Sequence, residues 1–132
     1  MIEAGLVALI NADAGVQAIT TTGGYLSELP PNATLPSWTH SVISEPVDYL
    51  LTGPDTLVKR RVQIDAYSQS PDTCLTLSYA IEQVLSGYSG TLQDTAATVV
   101  ALVAKDNMTD FFDDDARNYR RSVDYFVFYY KQ

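Results

Sequence analysis

Residues 56–68 constrain the fold of this chain more than any other segment, because polar and apolar side chains alternate along them. Successive side chains of a β-strand point to opposite faces, so the alternation predicts a strand with one face in the core. Arg60 is the charged residue on the otherwise apolar face, and we expect a carboxylate to pair with it at a sheet end or an interface. The residues predicted on that face are Val58, Arg60, Val62, Ile64 and Ala66.

Two helices are predicted, one before this strand and one after it. Residues 2–13 place apolar side chains at the spacing of an amphipathic helix. Ser70 and Pro71 mark the start of the second helix, with Ser70 as the cap and Pro71 in the first turn. We expect this helix to run to about Ser86, because Gly87 suits a left-handed residue just after a helix end.

The other strands are predicted from short β-branched or aromatic runs. The last of them, residues 119–130, is apolar on both faces, so it is either central or in contact with a partner. Residues 45–55 are expected to form a long connection or hairpin arm, and residues 106–115 an acidic loop. The predicted strands besides 56–68 are 25–29, 38–44, 95–104 and 119–130.

These elements predict one domain over residues 1–132. The predicted order is a helix, then strands, then a second helix, then strands. The expected fold class is therefore α+β, with a mainly antiparallel sheet of about four to five strands packed against two helices.

The charge distribution excludes one class of function. The chain has 16 Asp and Glu against 8 Lys and Arg, a formal net charge of −8, and every basic residue lies at Lys59 or later. Binding a nucleic-acid backbone requires clustered Lys and Arg that release counterions, and this balance argues against it. An acidic surface favours solubility and repels polyanions.

No group of residues predicts catalysis, a metal site or a cofactor. Cys74 is the only cysteine and His40 the only histidine, so neither a disulfide within the chain nor a zinc site can form. A core cysteine and an ordinary strand histidine are the favoured interpretations over a nucleophile and base. Nucleotide-binding loops and the serine-hydrolase motif are missing, and no apolar run is long enough to span a membrane. We therefore expect a protein that is not an enzyme.

The acidic run at residues 110–116 has three interpretations. Three consecutive aspartates point in different directions and no glycine turns the chain among them, which makes a metal site the least favoured. A solvated loop is the ordinary interpretation. An interaction loop is the second, because Phe111 and Phe112 lie inside the run and exposed aromatic residues commonly anchor interfaces.

Aromatic and aliphatic residues suggest where a partner could bind. Residues 45–56 combine turn residues with Tyr49, Leu50 and Leu51, and we predict an arm that reaches beyond the subunit core. The alternative is that Leu50 and Leu51 fold back on their own sheet. The 9 tyrosines suit an assembly surface or a sheet with hydroxyls at its rim, and both stay open. The candidate interface residues are Tyr49, Leu50, Leu51, Arg60, Phe111, Phe112, Tyr129 and Tyr130.

The order of segments resembles that of a known family, the tail-completion proteins of long non-contractile-tailed bacteriophages, also called tail terminators or tail-to-head joining proteins. The most specific part is residues 53–68, GPDTLVKRRVQIDAYS, followed at once by a helix that begins with proline. The likeness covers almost the whole chain. The segments that carry it are MIEAGLVALINADAGVQAI, YLSELPPNATLPSWTHSVIS, DYLLTGPDTLVKRRVQIDAYS, SPDTCLTLSYAIEQVL and NYRRSVDYFVFYY.

The resemblance implies a structural virion assembly protein with no catalytic residues. Such a protein forms a ring, usually a hexamer, which caps the head-proximal end of the tail tube, stops its polymerisation and joins the tail to the head connector. It would be assembled in the cytoplasm of the bacterial host. The DFFDDD segment, residues 110–115, is more acidic than the family pattern leads us to expect, which leaves its partner contacts open.

DNA passes through such a ring without specific binding, so we expect acidic residues to face its lumen. The alternative function is a small acidic inhibitor or DNA mimic that binds a basic partner. Asp48 and Asp55 are second choices for the lumen. The first choices are Asp110, Asp113, Asp114 and Asp115.

Overall fold

The computed structural model describes residues 2–20, 24–28, 34–46, 49–50, 53–54, 57–113 and 118–130, with the backbone alone for 49–50, 53–54 and 113. Within these ranges, no helix is both long and apolar enough to cross a membrane. The helices are α1 (Ile2–Asn11), α2 (Ala14–Gln17) and α3 (Pro71–Leu85). The strands are β1 (Gly24–Leu26), β2 (Ser37–Ser44), β3 (Tyr49–Leu50), β4 (Gly53–Pro54), β5 (Leu57–Ser68), β6 (Gly90–Thr91), β7 (Val99–Asp113) and β8 (Asn118–Tyr130).

Six strands form one sheet in the order β1-β2-β5-β8-β7-β6, while β3 and β4 form a separate two-stranded ribbon. The pair β1–β2 is parallel, and the other pairs in the six-stranded sheet are antiparallel. The predicted α+β class with a mainly antiparallel sheet is confirmed. The sheet has more strands than the four to five expected, because β6 has two residues and too short a run to give any periodicity.

The strand predicted over residues 56–68 is confirmed as β5, Leu57–Ser68. Val62, Ile64 and Ala66 are buried on one face, and β5 pairs along its whole length with β8. β8 is central, between β5 and β7, which is one of the two explanations for its apolar character on both faces.

The boundaries of α3 follow the proline and glycine that flank it. Pro71 is in the first turn, and Ser70 has the extended backbone of a cap although its side chain makes no capping hydrogen bond. Gly87, with φ of 78°, adopts the left-handed conformation that glycine tolerates best. The helix predicted over residues 2–13 is α1, which ends at Asn11, and the side chain of Asp13 then accepts a hydrogen bond from the Val16 N–H to cap α2.

The prediction of an acidic loop at residues 106–115 is wrong for the part that the structure describes. β7 continues to Asp113 and pairs with β8 as far as Asn118. Side chains from Lys105 to Phe112 are exposed on both faces, so no alternation of polar and apolar residues marks them as a strand. Backbone hydrogen bonds to β8 are sufficient to extend the strand there.

The core lies between the helices and one face of the sheet. Trp38, Ile10 and Leu77 are fully buried there, and each large apolar side chain so buried contributes about 1.5–3 kcal/mol. Gly24 allows β1 to approach β2 closely, since a Cβ at this position would come within 2.4 Å of the Trp38 ring.

Candidate interaction surface

The register of β5 and β8 assigns their side chains to two faces with different surroundings. On the covered face, Val62 lies opposite Tyr125, and α3 and α1 pack over this side. On the other side, Lys59 lies opposite Phe128, which in turn lies opposite Leu102 of β7. We call this second group the open face; its residues are Leu57, Lys59, Arg61, Leu102, Phe126, Phe128 and Tyr130.

Arg60 is the centre of a polar cluster on the covered face. Its Nη1 donates to Glu3 Oε1 at 2.6 Å and its Nε donates to Glu45 Oε1 at 2.7 Å. Its Nη2 lies 3.4 Å from the hydroxyl of Tyr129, which donates to Glu45. Because the Arg60 side chain is only 11% exposed, both ion pairs are partly shielded from water. The predicted pairing of Arg60 with a carboxylate is confirmed. Through Arg60 of β5, the cluster links Glu3 of α1 and Glu45, the residue after β2, to Tyr129 of β8.

The cluster holds its groups in fixed charge states. Burial alone would lower the pKa of Arg60, but the hydrogen bonds that it donates to Glu45 and Glu3 outweigh burial, and the pKa of Arg60 lies above its usual value. Burial opposes ionisation of Glu3 as well, yet backbone and Arg60 hydrogen bonds leave the Glu3 pKa below its usual value. Burial and the hydrogen bond to Glu45 raise the pKa of Tyr129 to about 12. Such groups stay in one protonation state near neutral pH and suit a structural clamp rather than proton transfer.

The open face combines aromatic rings with cations. Lys59 Nζ lies 4.1 Å from the centroid of the Phe126 ring and 5.9 Å from that of Phe128, which is cation–π geometry. Arg61 Nη2 forms an ion pair with Asp124 at 2.6 Å. A cavity of about 140 Å³ lies beside these cations and is lined by Ser44, Pro46, Lys59, Arg61 and Phe126. Exposed apolar residues on this face are Leu57 at 40%, Leu102 at 43% and Tyr130 at 47%.

Aromatic residues also mark the distal hairpin, which we define as residues 105–113 of β7 and 118–122 of β8. Phe111 and Phe112 are 45% and 44% exposed. The Arg120 guanidinium stacks 4.3 Å from the Phe111 ring, and the rings of Phe112 and Tyr119 are 4.6 Å apart. These contacts fix large apolar groups in exposed positions, which is a property of interface anchors.

An ion pair holds the two strands of this hairpin together. Arg121 donates from Nε and Nη2 to the two carboxylate oxygens of Asp110, at 2.7 and 3.0 Å. This bidentate hydrogen bonding lowers the pKa of Asp110, whose side chain is 60% exposed. A cavity of about 170 Å³ separates the hairpin from the start of α3, where the buried Cys74 thiol donates to the Ala66 carbonyl. Burial raises the pKa of Cys74, which keeps it an unreactive thiol.

The structure separates the predicted interface residues into three groups. Phe111, Phe112 and Tyr130 are exposed, whereas Arg60 and Tyr129 lie inside the subunit. Tyr49 and Leu50 are described by their backbone, which forms the β3–β4 ribbon, and Leu51 lies outside the described residues. Of the predicted lumen residues, Asp110 is paired with Arg121 and Asp113 ends β7. Asp48, Asp55, Asp114 and Asp115 lie outside the described residues.

Sequence reasoning missed Lys59, Leu102 and Phe126 as surface candidates. The apolar character of both faces in residues 119–130 contained the necessary information for Phe126 and Phe128. Leu102 could not be found in this way, since a register shift between Val100 and Leu102 changes which β7 residues share a face.

The described residues contain no group of three or more His, Cys, Asp and Glu that could hold a metal ion. His40 and Cys74 are both buried, and burial lowers the pKa of His40. Their surroundings are those of core residues.

Comparison with known proteins agrees with the resemblance drawn from the sequence. No curated protein matches the chain. A chain in a solved structure described as "Virion of native gene transfer agent (GTA) particle" has a similar fold, with a TM-score of 0.73 and 16% sequence identity over 98% of this chain and 94% of that chain. The model of a family described as "Tail completion protein gp17" matches residues 4–130. Because this match spans nearly the whole sequence, the chain belongs to the tail completion protein gp17 family.

Proposed function

We propose that the protein forms a ring that caps the head-proximal end of the tail tube, stops the addition of tube subunits and joins the tail to the head connector. Membership of a tail completion family makes it a structural protein of tail assembly and assigns it to the virion tail. A hexameric ring and the two partners, the tail tube protein and the head connector, are the specific content of the proposal.

The main support is the set of large apolar side chains that one subunit leaves in water. Leu102 and Tyr130 on the open face, and Phe111 and Phe112 on the distal hairpin, are each more than two-fifths exposed. Apolar groups held rigidly at a surface mark interaction sites in proteins that assemble. They also lie on different parts of the sheet, as an interface between two unlike surfaces of neighbouring copies requires.

The β3–β4 ribbon is proposed as a second contact. It forms a separate small sheet and is not hydrogen-bonded as a strand of the main one. In this proposal Leu50 reaches a neighbouring copy, so Leu50→Asp weakens ring formation while the isolated subunit keeps its fold. A variant whose subunit unfolds would instead indicate that Leu50 packs on its own sheet.

Acidic side chains are proposed to face the lumen of the ring. DNA that passes through must not be retained, and like charge within about 8–10 Å of its phosphates disfavours binding. The first candidates are Asp110, Asp113, Asp114 and Asp115, and changing the last three to Lys should impair DNA ejection. Carboxylates on the outer rim together with unchanged ejection would refute this part.

The decisive experiment measures assembly and termination together. Native mass spectrometry of the purified chain should give a closed ring, and tail tube protein polymerised in its presence should give tubes capped at one end by electron microscopy. A chain that stays monomeric and leaves tube length unchanged would contradict the proposal. If that monomer binds a basic nuclease, the acidic inhibitor or DNA mimic becomes the better function.

A further inference from the structure

Among the described residues, the outer side of β7 has unpaired backbone groups along two thirds of the strand. β6 pairs with Val99 and Val100, and the Val103 N–H and carbonyl bond to Tyr88 and Gly87. From residue 104 to residue 113, no backbone hydrogen bond reaches this side from the parts of the chain that the structure describes. We call residues 104–113 the β7 edge. An unpaired strand edge is a template for the addition of another strand.

The direction of the backbone groups on the β7 edge follows from Val103. Since Val103 bonds to residues outside the β7–β8 pair, it directs its N–H and carbonyl away from its partner Val127. In an antiparallel pair, the backbone groups of successive residues point alternately toward the partner strand and away from it. Counting from Val127 toward the start of β8, every second residue is therefore paired with a β7 residue whose N–H and carbonyl point away from β8. This assigns outward N–H and carbonyl groups to Met108, Asp110 and Phe112.

The opposite edge of the same sheet is partly open: among the described residues, the Leu26 N–H is available, while the Leu26 carbonyl accepts from the Glu28 N–H. β1 pairs with β2 alone, and the described residues provide no strand on its outer side. The N–H of Ser27 bonds to His40 of β2, so Leu26 directs its own N–H outward. Leu26 is 47% exposed and β1 carries no charged residue, so the acidic β7 edge would meet no like charge on β1 itself.

Leu26 on one edge and Met108 on the other lie in the same row of paired residues across the sheet. The register can be followed from Leu26 to Met108 through one row of directly opposed residues, and both side chains belong to the covered face. Three antiparallel pairs separate β2 from β7, so β7 runs opposite to β1 and β2. The row is Leu26, His40, Ile64, Val123 and Met108.

We propose that the β7 edge of one copy pairs antiparallel with β1 of the next copy, which brings Met108 of one beside Leu26 of the other. This inference rests on the proposed ring and names the contact that builds it. Met108 is 42% exposed, so the pairing buries two apolar side chains as well as the outward backbone groups. Because the two edges differ, each copy uses one edge on each side, which is the arrangement that closes into rings.

Crosslinking tests the contact directly in the full chain. Cys74, buried and the only cysteine, is replaced by Ser, and cysteines are introduced as Leu26→Cys and Met108→Cys. A short bis-maleimide reagent should then join successive copies into a ladder of covalent oligomers. The matched control combines Leu26→Cys with Val99→Cys, a position of comparable exposure at 39% that lies on the same strand at the far end from Met108, and should give no ladder.

The outcomes separate this inference from the proposed function. A ring in native mass spectrometry with the ladder supports both, while a ring without the ladder overturns the strand pairing and leaves the ring in place. A ladder without a closed ring supports the pairing and contradicts the ring. Dimers formed by Met108→Cys alone, as readily as the double variant forms its ladder, would mean that β7 pairs with β7 and would overturn the proposal.

A backbone variant gives a second test. Met108→Pro removes an outward N–H and leaves the bonds between β7 and β8 in place, whereas Met108→Ala removes the side chain alone. With near-UV circular dichroism unchanged for both, Met108→Pro should raise the dissociation constant of the assembly at least 10-fold above that of Met108→Ala. Equal assembly of the two folded variants would overturn the inference.

Discussion

Tyr125 and Tyr129 lie on the same face of β8, yet their hydroxyl groups have opposite surroundings. The Tyr129 hydroxyl donates to Glu45 and lies 3.4 Å from Arg60 Nη2. The Tyr125 hydroxyl is buried and bonds to no residue that the structure describes. Both phenols lie on the core-facing side of β8, but only the Tyr129 hydroxyl has a hydrogen-bond partner among the described residues.

This difference predicts opposite effects for the same chemical change. Tyr125→Phe removes a buried hydroxyl without a partner and should stabilise the subunit by about 1 kcal/mol. Tyr129→Phe removes the donor to a carboxylate and should destabilise it by about 1–2 kcal/mol. Urea unfolding of the two variants beside the parent chain measures both values. Destabilisation of similar size in both would mean that the Tyr125 hydroxyl has a partner in solution.

The adjacent arginines of β5 provide a second matched pair. Arg60→Ala leaves Glu3 and Glu45 partly buried without a cation and should cost about 2–3 kcal/mol of unfolding free energy, somewhat less than for a fully buried pair. Arg61 is on the open face with its side chain 37% exposed, so Arg61→Ala should change stability little. Thermal and urea unfolding compare them. A smaller loss for Arg60→Ala than for Arg61→Ala would contradict the role of the cluster.

Stability should fall in two steps as the pH is lowered. Burial lowers the pKa of His40, and Arg60 adds to this while Glu3 opposes it, so the unfolded chain takes up a proton below about 6.5 before the folded chain does. The second step concerns Glu3, whose pKa is lowered from its usual 4.5 despite burial, so its stabilisation is present above 4.5 and is lost below it.

Urea unfolding at intervals from pH 7.5 to pH 3.5 measures this profile. His40→Gln should flatten the step that begins near pH 6.5 and leave the lower one. Glu3→Gln should flatten the lower step and, because the Glu3 carboxylate raises the pKa of His40, enlarge the first one. Because His40 is the only histidine, its NMR signals report the folded-state titration directly. Titration of His40 above 6.5 in the folded chain would reverse the sign of the first step.

The distal hairpin should matter for assembly more than for stability. Phe111→Ser with Phe112→Ser removes two exposed rings, and their contacts with Arg120 and Tyr119 are at the surface, so unfolding should shift by about 1 kcal/mol or less. Ring formation should weaken by 10-fold or more, measured by sedimentation velocity. Val99→Ser, which removes an exposed apolar side chain from the far end of β7, is the control and should leave assembly unchanged.

The elements predicted correctly are those in which the spacing of apolar residues along the sequence matches the spacing of buried side chains. β5, α3 and β8 were found within a few residues of their bounds, because periodicity, Pro71 and Gly87 act locally. The distal part of β7 was missed because its side chains are exposed on both faces, so its pairing with β8 leaves no periodic pattern in the sequence. Pairing of Arg60 with a carboxylate was predicted, but its partners Glu3 and Glu45 are 57 and 15 residues away and no local pattern identifies them.

The place of β8 in the sheet has a consequence for synthesis. It follows β5 and β7 in the sequence and yet lies between them. On the ribosome, the nascent chain therefore exposes both strands without their common partner until residues 118–130 have left the exit tunnel. The paired residues of β5 and β8 are 51 to 73 residues apart in the sequence, and pairing over such separations forms slowly. A chain that stops before residue 118 therefore lacks the central strand with which both β5 and β7 pair.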